Sequence, residues 1–197
     1  MQPEPYDQRY TAYQTDRSIL RRTLRKVYLR HQAGLVRGRT IDFGCGVGEL
    51  LQRLPAGSVG LEVNDATVQL CRERGLDVYP YDPLTDGYRL QELEPGRFTT
   101  LITAHVLEHL EAPIDILRHL MTSASRLGLS RVIVIVPGER GYASDATHRT
   151  LVTGDMLTSA SGHGGFTLTS AQWFPLDTER LSTRFTHHEF TAVYDQP

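Results

Sequence analysis

The chain has 197 residues, of which 40% are hydrophobic and 22% charged, with a formal net charge of −2. That length supports one domain with a full core and leaves little for a second. The near-neutral balance excludes the strong field of a protein built to hold nucleic acid or an anionic membrane.

The chain opens with MQPEPYDQRY, which lacks the charged-then-apolar layout of a signal peptide. No later run nears the roughly 20 apolar residues that span a bilayer. A soluble, cytoplasmic chain without membrane insertion is expected, as a monomer or homodimer. Tyr6, Tyr10 and Tyr13 are spaced by four and three, so a helix puts them on one face, either as a lid over a ligand or packed on the domain. Residues 16–31 place Leu20, Leu24, Val27 and Tyr28 at helical spacing. Arg17, Arg21, Arg22, Arg25, Lys26 and Arg30 fill the other faces, which read as solvated rather than as an RNA patch.

From Arg39 short apolar strands at 39–43, 58–63, 76–79, 98–104 and 131–136 alternate with helical stretches at 48–54, 65–74 and 113–126. This alternation predicts right-handed βαβ units and a buried parallel sheet. RVIVIV, at 131–136, is apolar almost throughout, as a strand covered on both faces should be. Beyond Pro137 come a loop at 137–150, a short helix near 153–160, and two strands, 166–173 and 185–194, read as a closing antiparallel pair. One domain is expected in three parts: a helical lid or cap at 1–36, a ligand-binding core at 38–137, and an acceptor loop with closing strands at 138–197.

The most informative stretch is TIDFGCGVGEL, Thr40 to Leu50. A strand ends at Phe43 and a helix is expected from Val47. Glycines between them let the backbone turn sharply and approach a ligand, and amides at a helix start can meet a polar group. Asp42 places a carboxylate at the strand's end, where it repels a pyrophosphate and attracts an ammonium. Glu62, 20 residues on, stands where an acid accepts both hydroxyls of a ribose. The dinucleotide pattern GxGxxG fails, because Glu49 occupies the third glycine position and Gly48 comes one residue early. The implied ligand has a ribose and a cationic amino-acid end.

These segments resemble the class I S-adenosylmethionine (SAM)-dependent methyltransferases, of the kind grouped as methyltransferase type 11. DFGCGVGEL resembles their first motif, GLEVND the second, and LITAHVLEHL the fourth-strand segment. The likeness is good over 38–137 and loose over 138–197. It implies a Rossmann-like α/β fold: a seven-stranded, mostly parallel sheet in the order 3-2-1-4-5-7-6, strand 7 antiparallel, with helices on both faces. It implies that Asp42, Gly44 and Gly46, with Cys45 between them, line the methionine part of SAM. Glu62 would hold the ribose, Val63 and Asn64 would lie beside the adenine, and Asp82 at its edge. Ala104, His105 and Leu107 would line the crevice beneath the sulfonium. The implied reaction moves a methyl group to an oxygen or nitrogen acceptor and leaves S-adenosylhomocysteine. A small molecule, sugar or surface glycan is the expected acceptor. RNA, a protein, or a non-catalytic SAM-binding partner role are the alternatives.

The loop after the fifth strand carries Asp145 and His148 at the carboxyl end of the sheet, where doubly wound folds bind ligands. His148 is the first candidate for a general base, with Asp145 beside it and His105 second. His105 to His109 also spells HxxEH, a zinc-site pattern when it lies on a helix. Here a strand runs into it and no third ligand is apparent, so no metal is expected. His187 and His188 read as neighbours on a strand, facing opposite ways. Cys45 and Cys71 form no CxxC pair or disulfide scaffold, which suits a reduced compartment.

Overall fold

The computed structural model describes residues 19–197, with side chains from Leu24 onward. Tyr6, Tyr10 and Tyr13, and with them the expected lid face, lie outside the described residues. The strands are β1 Thr40–Phe43, β2 Val59–Glu62, β3 Val78–Pro80, β4 Thr100–Ala104, β5 Arg131–Pro137, β6 Thr167–Phe174 and β7 Glu189–Asp195. They form one sheet in the order β3-β2-β1-β4-β5-β7-β6. The first five strands pair parallel, and β7 runs antiparallel to both β5 and β6. The helices are α1 Ile19–Leu35, α2 Asp65–Glu73, α3 Pro83–Asp86, α4 Pro113–Arg126, α5 Glu139–Ala143 and α6 Gly154–Thr158. This is the seven-stranded, Rossmann-like arrangement that the sequence motifs implied.

Strand β5 shows why the sheet is buried on both sides. Successive side chains of a strand point to opposite faces. Val132, Val134 and Val136 join one core with Leu101 and with Leu117, Leu120 and Met121 of α4. Ile133 and Ile135 join the other with Ile102, Val193 and Leu29 of α1. All five β5 residues are fully buried. The last strand is clamped by a two-pronged ion pair, with Arg131 Nε 2.7 Å from Asp195 Oδ1 and Nη2 2.9 Å from Oδ2. The segment after Pro137 therefore completes the same sheet.

The expected helix at 48–54 is absent. Gly48 has φ +76, and only the single tight turn Leu51–Arg53 forms before Pro55. A left-handed residue cannot continue a right-handed helix. Strand β7 begins at Glu189 rather than at 185, so His187 and His188 precede it. His188 is buried, stacked on Trp173 at 4.8 Å, with Nε2 3.0 Å from the Leu176 carbonyl. Two short helices went unread: α3, capped by Asp82 with Pro83 in its first turn, and α5 in the loop after β5.

The central strand gives the first test. Ile133→Ala should lower the unfolding free energy by about 2–5 kcal/mol. Urea denaturation should show an earlier midpoint with an unchanged slope.

Candidate functional site: the carboxyl ends of the central strands

β1, β2 and β4 end side by side, so the turns that leave them crowd one edge of the sheet. Gly44, Gly46 and Gly48 all have positive φ, at +75, +52 and +76. At Gly44 the reason is double, because an added Cβ would also lie 2.4 Å from Val106 Cγ2 in the turn after β4. The loop's amides are spent on the protein. Gly44 and Cys45 N–H donate to the Leu61 carbonyl at 2.9 and 3.1 Å, Gly46 N–H to Glu62 Oε2 at 2.9 Å, and Gly48 N–H to the Cys45 carbonyl at 3.0 Å. With no helix at Val47, the expected use of helix-start amides on the ligand is withdrawn for these four. The loop offers close backbone approach instead.

Two carboxylates face this loop. Asp42 is buried, and its Oδ2 has no hydrogen-bond partner among the described residues. Burial, reinforced by the nearby Glu62, pushes its pKa up to about 7, with Arg25 opposing. Glu62 accepts from Gly46 N–H through Oε2 and from Asn64 N–H through Oε1, at 2.9 and 3.0 Å. Each of these oxygens keeps a second lone pair for a ligand hydroxyl. Burial raises the Glu62 pKa while these amides pull it down. Val63 next to it exposes about half of its surface, and Asn64 caps α2 by accepting from Thr67 N–H. The orphaned Asp42 oxygen, the paired-acid geometry and the exposed apolar Val63 fit a ligand with an ammonium, a ribose and a base.

Other expected site residues sit differently. The Cys45 side chain turns inward to Val68 and Cys71, so it offers only backbone. Leu107 is in the main core, beneath the crevice rather than lining it. Asp82 stands past the end of β3, but its oxygens accept from Leu84 N–H and the Thr85 hydroxyl, making it the cap of α3. Ala104, at the tip of β4, is half-buried beside His105.

His105 has φ +58, an unusual conformation for a residue with a Cβ and one that clusters at functional sites. Its N–H donates to the Ile135 carbonyl, Nε2 lies 3.0 Å from Glu189 Oε2, and Nδ1 lies 3.4 Å from Glu108 Oε1. Burial works against its charge, but the interactions with Glu108 and Glu189 outweigh it and push the pKa up to about 9. A ring already protonated at neutral pH cannot accept a proton, so the expected base role of His105 is corrected to that of a fixed cation. Glu189, at the head of β7, and Gln32 of α1, 3.2 Å from Glu189 Oε1, were not read as site residues. An acid opening an otherwise apolar strand was the available signal for Glu189.

His148 and Asp145 do not form the expected pair. Asp145 Oδ1 accepts from Thr147 N–H and from its hydroxyl, at 2.8 and 2.7 Å, closing a turn. Burial raises the Asp145 pKa, but the two Thr147 bonds outweigh it and hold it low. His148 Nδ1 is 2.7 Å from the Tyr142 carbonyl, and the ring stacks on Tyr142. Its Nε2 faces Glu108 Oε1 at 3.9 Å, with only 9% of the side chain exposed. A ring so enclosed is not a free base for an incoming acceptor.

A doubly wound sheet whose first strand ends in a left-handed glycine loop, flanked by two buried acids, is an arrangement that a nucleoside with a cationic tail would fit. The chain belongs to the methyltransferase-domain family, whose model matches residues 13–171. It is 33% identical over 100 residues to a ubiquinone biosynthesis O-methyltransferase from Nitrosococcus oceani, covering 47% of this chain and 42% of that one. A protein of the same name from Pseudomonas aeruginosa is 28% identical over 102 residues, covering 48% and 43%. The match thus spans less than half the length of these curated relatives. Among solved structures, a SAM-dependent methyltransferase from Archaeoglobus fulgidus superposes with TM-score 0.67 at 18% identity, covering 89% of this chain and 94% of that one. Magnesium protoporphyrin IX methyltransferase from Synechocystis, with bound SAM, superposes with TM-score 0.59 at 17% identity, covering 89% and 79%. At such identities these structures speak for the fold.

Gly44→Ala should destabilise the chain by about 1–2 kcal/mol from its backbone conformation alone, plus the cost of the Val106 clash. Adding Val106→Ala should recover the clash and leave the conformational share, as a double-mutant cycle in urea would show.

Proposed function

We propose that this chain is a SAM-dependent methyltransferase acting on an oxygen of a small-molecule acceptor. The observation that carries this reading is the buried Asp42 carboxylate with an unpaired oxygen beside a glycine loop. An isolated buried charge is costly, and a ligand ammonium is the partner that relieves it. SAM, when bound, supplies a methyl group on a sulfonium that is already electrophilic.

The protein's own residues do the positioning. Asp42 would hold the ammonium, and Glu62 would accept the ribose hydroxyls while bracing the loop through Gly46. Val63 would cover one side of the base, next to Asn64. Ala104 and His105 would form the floor under the reacting centre, with Leu107 packed beneath. His105 is held by Glu108 and Glu189, so this floor is rigid. Alignment of donor and acceptor with water excluded can contribute roughly 7–11 kcal/mol.

The names of the curated relatives favour an oxygen acceptor on a small molecule over nitrogen, a sugar or surface glycan, a protein or RNA. Arg25 of the Arg-rich helix is turned to Glu49, 3.1 Å away beside the glycine loop, which ties part of that helix to the site rather than to a nucleic acid. Among the described residues no helix is long and apolar enough to cross a membrane.

Incubating the full chain with methyl-labelled SAM and a panel of phenols, amines, sugars and RNA should put label on a phenolic oxygen. Tight SAM binding without label transfer to any of these or to a cell extract would instead support a non-catalytic partner role.

Asp42 gives a pH test. Its pKa is raised to about 7 in the free protein, and an ammonium ligand binds the ionised form. SAM affinity measured by calorimetry should therefore fall as pH drops from about 8 to 6. Asp42→Asn should lower affinity roughly 10–100-fold at pH 8, the scale of a hydrogen bond to a charged group, and flatten that pH dependence.

A further inference from the structure

We propose that Glu108, His109 and His148 form a binding site for one divalent transition-metal cation, at the acceptor side of the same crevice. Each offers one ligand atom, and these atoms lie within 4.8 Å of one another. The inference rests on the methyltransferase reading only for its role, not for its existence.

The fold assembles this trio from two loops that local sequence does not join. Glu108 and His109 lie on the tight turn Leu107–His109 after β4, and His148 follows α5 after β5. The main chain locks the loops together, since Arg149 N–H and Thr150 N–H both donate to the Glu108 carbonyl, at 2.8 and 3.1 Å. The Thr150 hydroxyl donates to the Leu110 carbonyl at 2.7 Å. The pattern is therefore not the one that HxxEH suggests on a helix, because His105 is committed to Glu189 and His148 takes its place.

Three observations point to a cation. First, the Glu108 side chain is completely buried, yet neither oxygen has a hydrogen-bond partner among the described residues. His105 Nδ1 stands 3.4 Å from Oε1 and takes up part of its charge, leaving Oε2 bare. His105 is shared with Glu189, so the bare Oε2 remains a buried polar atom without a partner, which a coordinated cation would relieve. Second, His148 Nδ1 donates to the Tyr142 carbonyl, which leaves Nε2 as the ring nitrogen facing Glu108, at 3.9 Å. A ring N–H fixed on a backbone carbonyl is the usual outer support of a metal-binding histidine. Third, the Thr147 hydroxyl already donates to Asp145, so at His109 Nδ1, 3.1 Å away, it accepts. His109 Nδ1 is then the protonated nitrogen, and its Nε2 is bare.

Two imidazoles and one carboxylate suit Zn²⁺, Mn²⁺ or a similar first-row ion better than Mg²⁺, which prefers oxygens and water. Bond lengths of about 2.0–2.1 Å place neighbouring ligand atoms roughly 3.3 Å apart in a tetrahedral set, so side-chain rotations of about an ångström close the site. His109 is half-exposed, which leaves open positions on the solvent side for an acceptor bearing a hydroxyl or phenolic oxygen.

The test uses the full chain after chelator treatment, titrated by calorimetry with Zn²⁺, Mn²⁺ and Mg²⁺ in turn. One equivalent of Zn²⁺ or Mn²⁺ per chain is expected, with Mg²⁺ much weaker. His109→Gln and His148→Gln should each weaken binding by more than the roughly 10–100-fold lost with an outer-shell partner. The electron-spin-echo spectrum of the Mn²⁺-loaded wild type should show imidazole nitrogen, a readout that stands even if a variant fails to fold. Absence of binding, equal binding by both folded variants, a spectrum without nitrogen, or preference for Mg²⁺ would overturn the assignment. SAM titrated into the metal-free chain separates the two readings: SAM binding without a metal site sinks only this one, and metal binding without SAM binding sinks only the other.

Discussion

Charge held where water is excluded is the constraint that organises this molecule. Asp42, Glu62, Glu108 and Glu189 are all buried near the carboxyl edge of the sheet. Each has to be neutralised, hydrogen-bonded or coordinated, because the interior does not solvate it. Glu62 is satisfied by the amides of Gly46 and Asn64, and Glu189 by His105 and Gln32. Asp42 and Glu108 are left with bare oxygens. The two acids that the fold leaves unsatisfied mark the two places where ligands are proposed to enter, one on each side of the reacting centre.

The rest of the architecture holds these acids in place. A parallel sheet buried on both faces by Leu29 and α4 aligns the ends of β1, β2 and β4. The close approach of Gly44 to Val106 then joins the cofactor-side loop to the turn bearing Glu108. His105 bridges that turn to β7. A strand from late in the chain thus reaches the centre of the site, although the sequence motifs stop at about residue 137.

Legibility followed the physics of each feature. The alternating strands and the glycine loop were readable because apolar runs and clustered glycines leave marks in adjacent residues, whereas the strand order was implied by the motif resemblance. Asp42 and Glu62 were readable because they end strands at a fixed offset. The false helix at 48–54 arose because Leu50, Leu51 and Leu54 are spaced as in a helix, while Gly48 takes a left-handed conformation where a Cβ would meet Leu76 and Cys71. The roles of the histidines were not readable, since a ring's protonation depends on which carboxylates surround it.

By itself the sequence determined the α/β class through local periodicity; the seven-stranded order was implied by the likeness of its motifs to a known family, and the spacing of Asp42 and Glu62 pointed to a nucleoside pocket. Only the tertiary structure decided that His105 is a fixed cation, that Asp145 serves a turn, and that His148 meets Glu108 and His109. The His105 and His148 contacts join residues distant in the chain, and the Asp145 turn is settled by how its loop folds, so a local pattern does not reveal them.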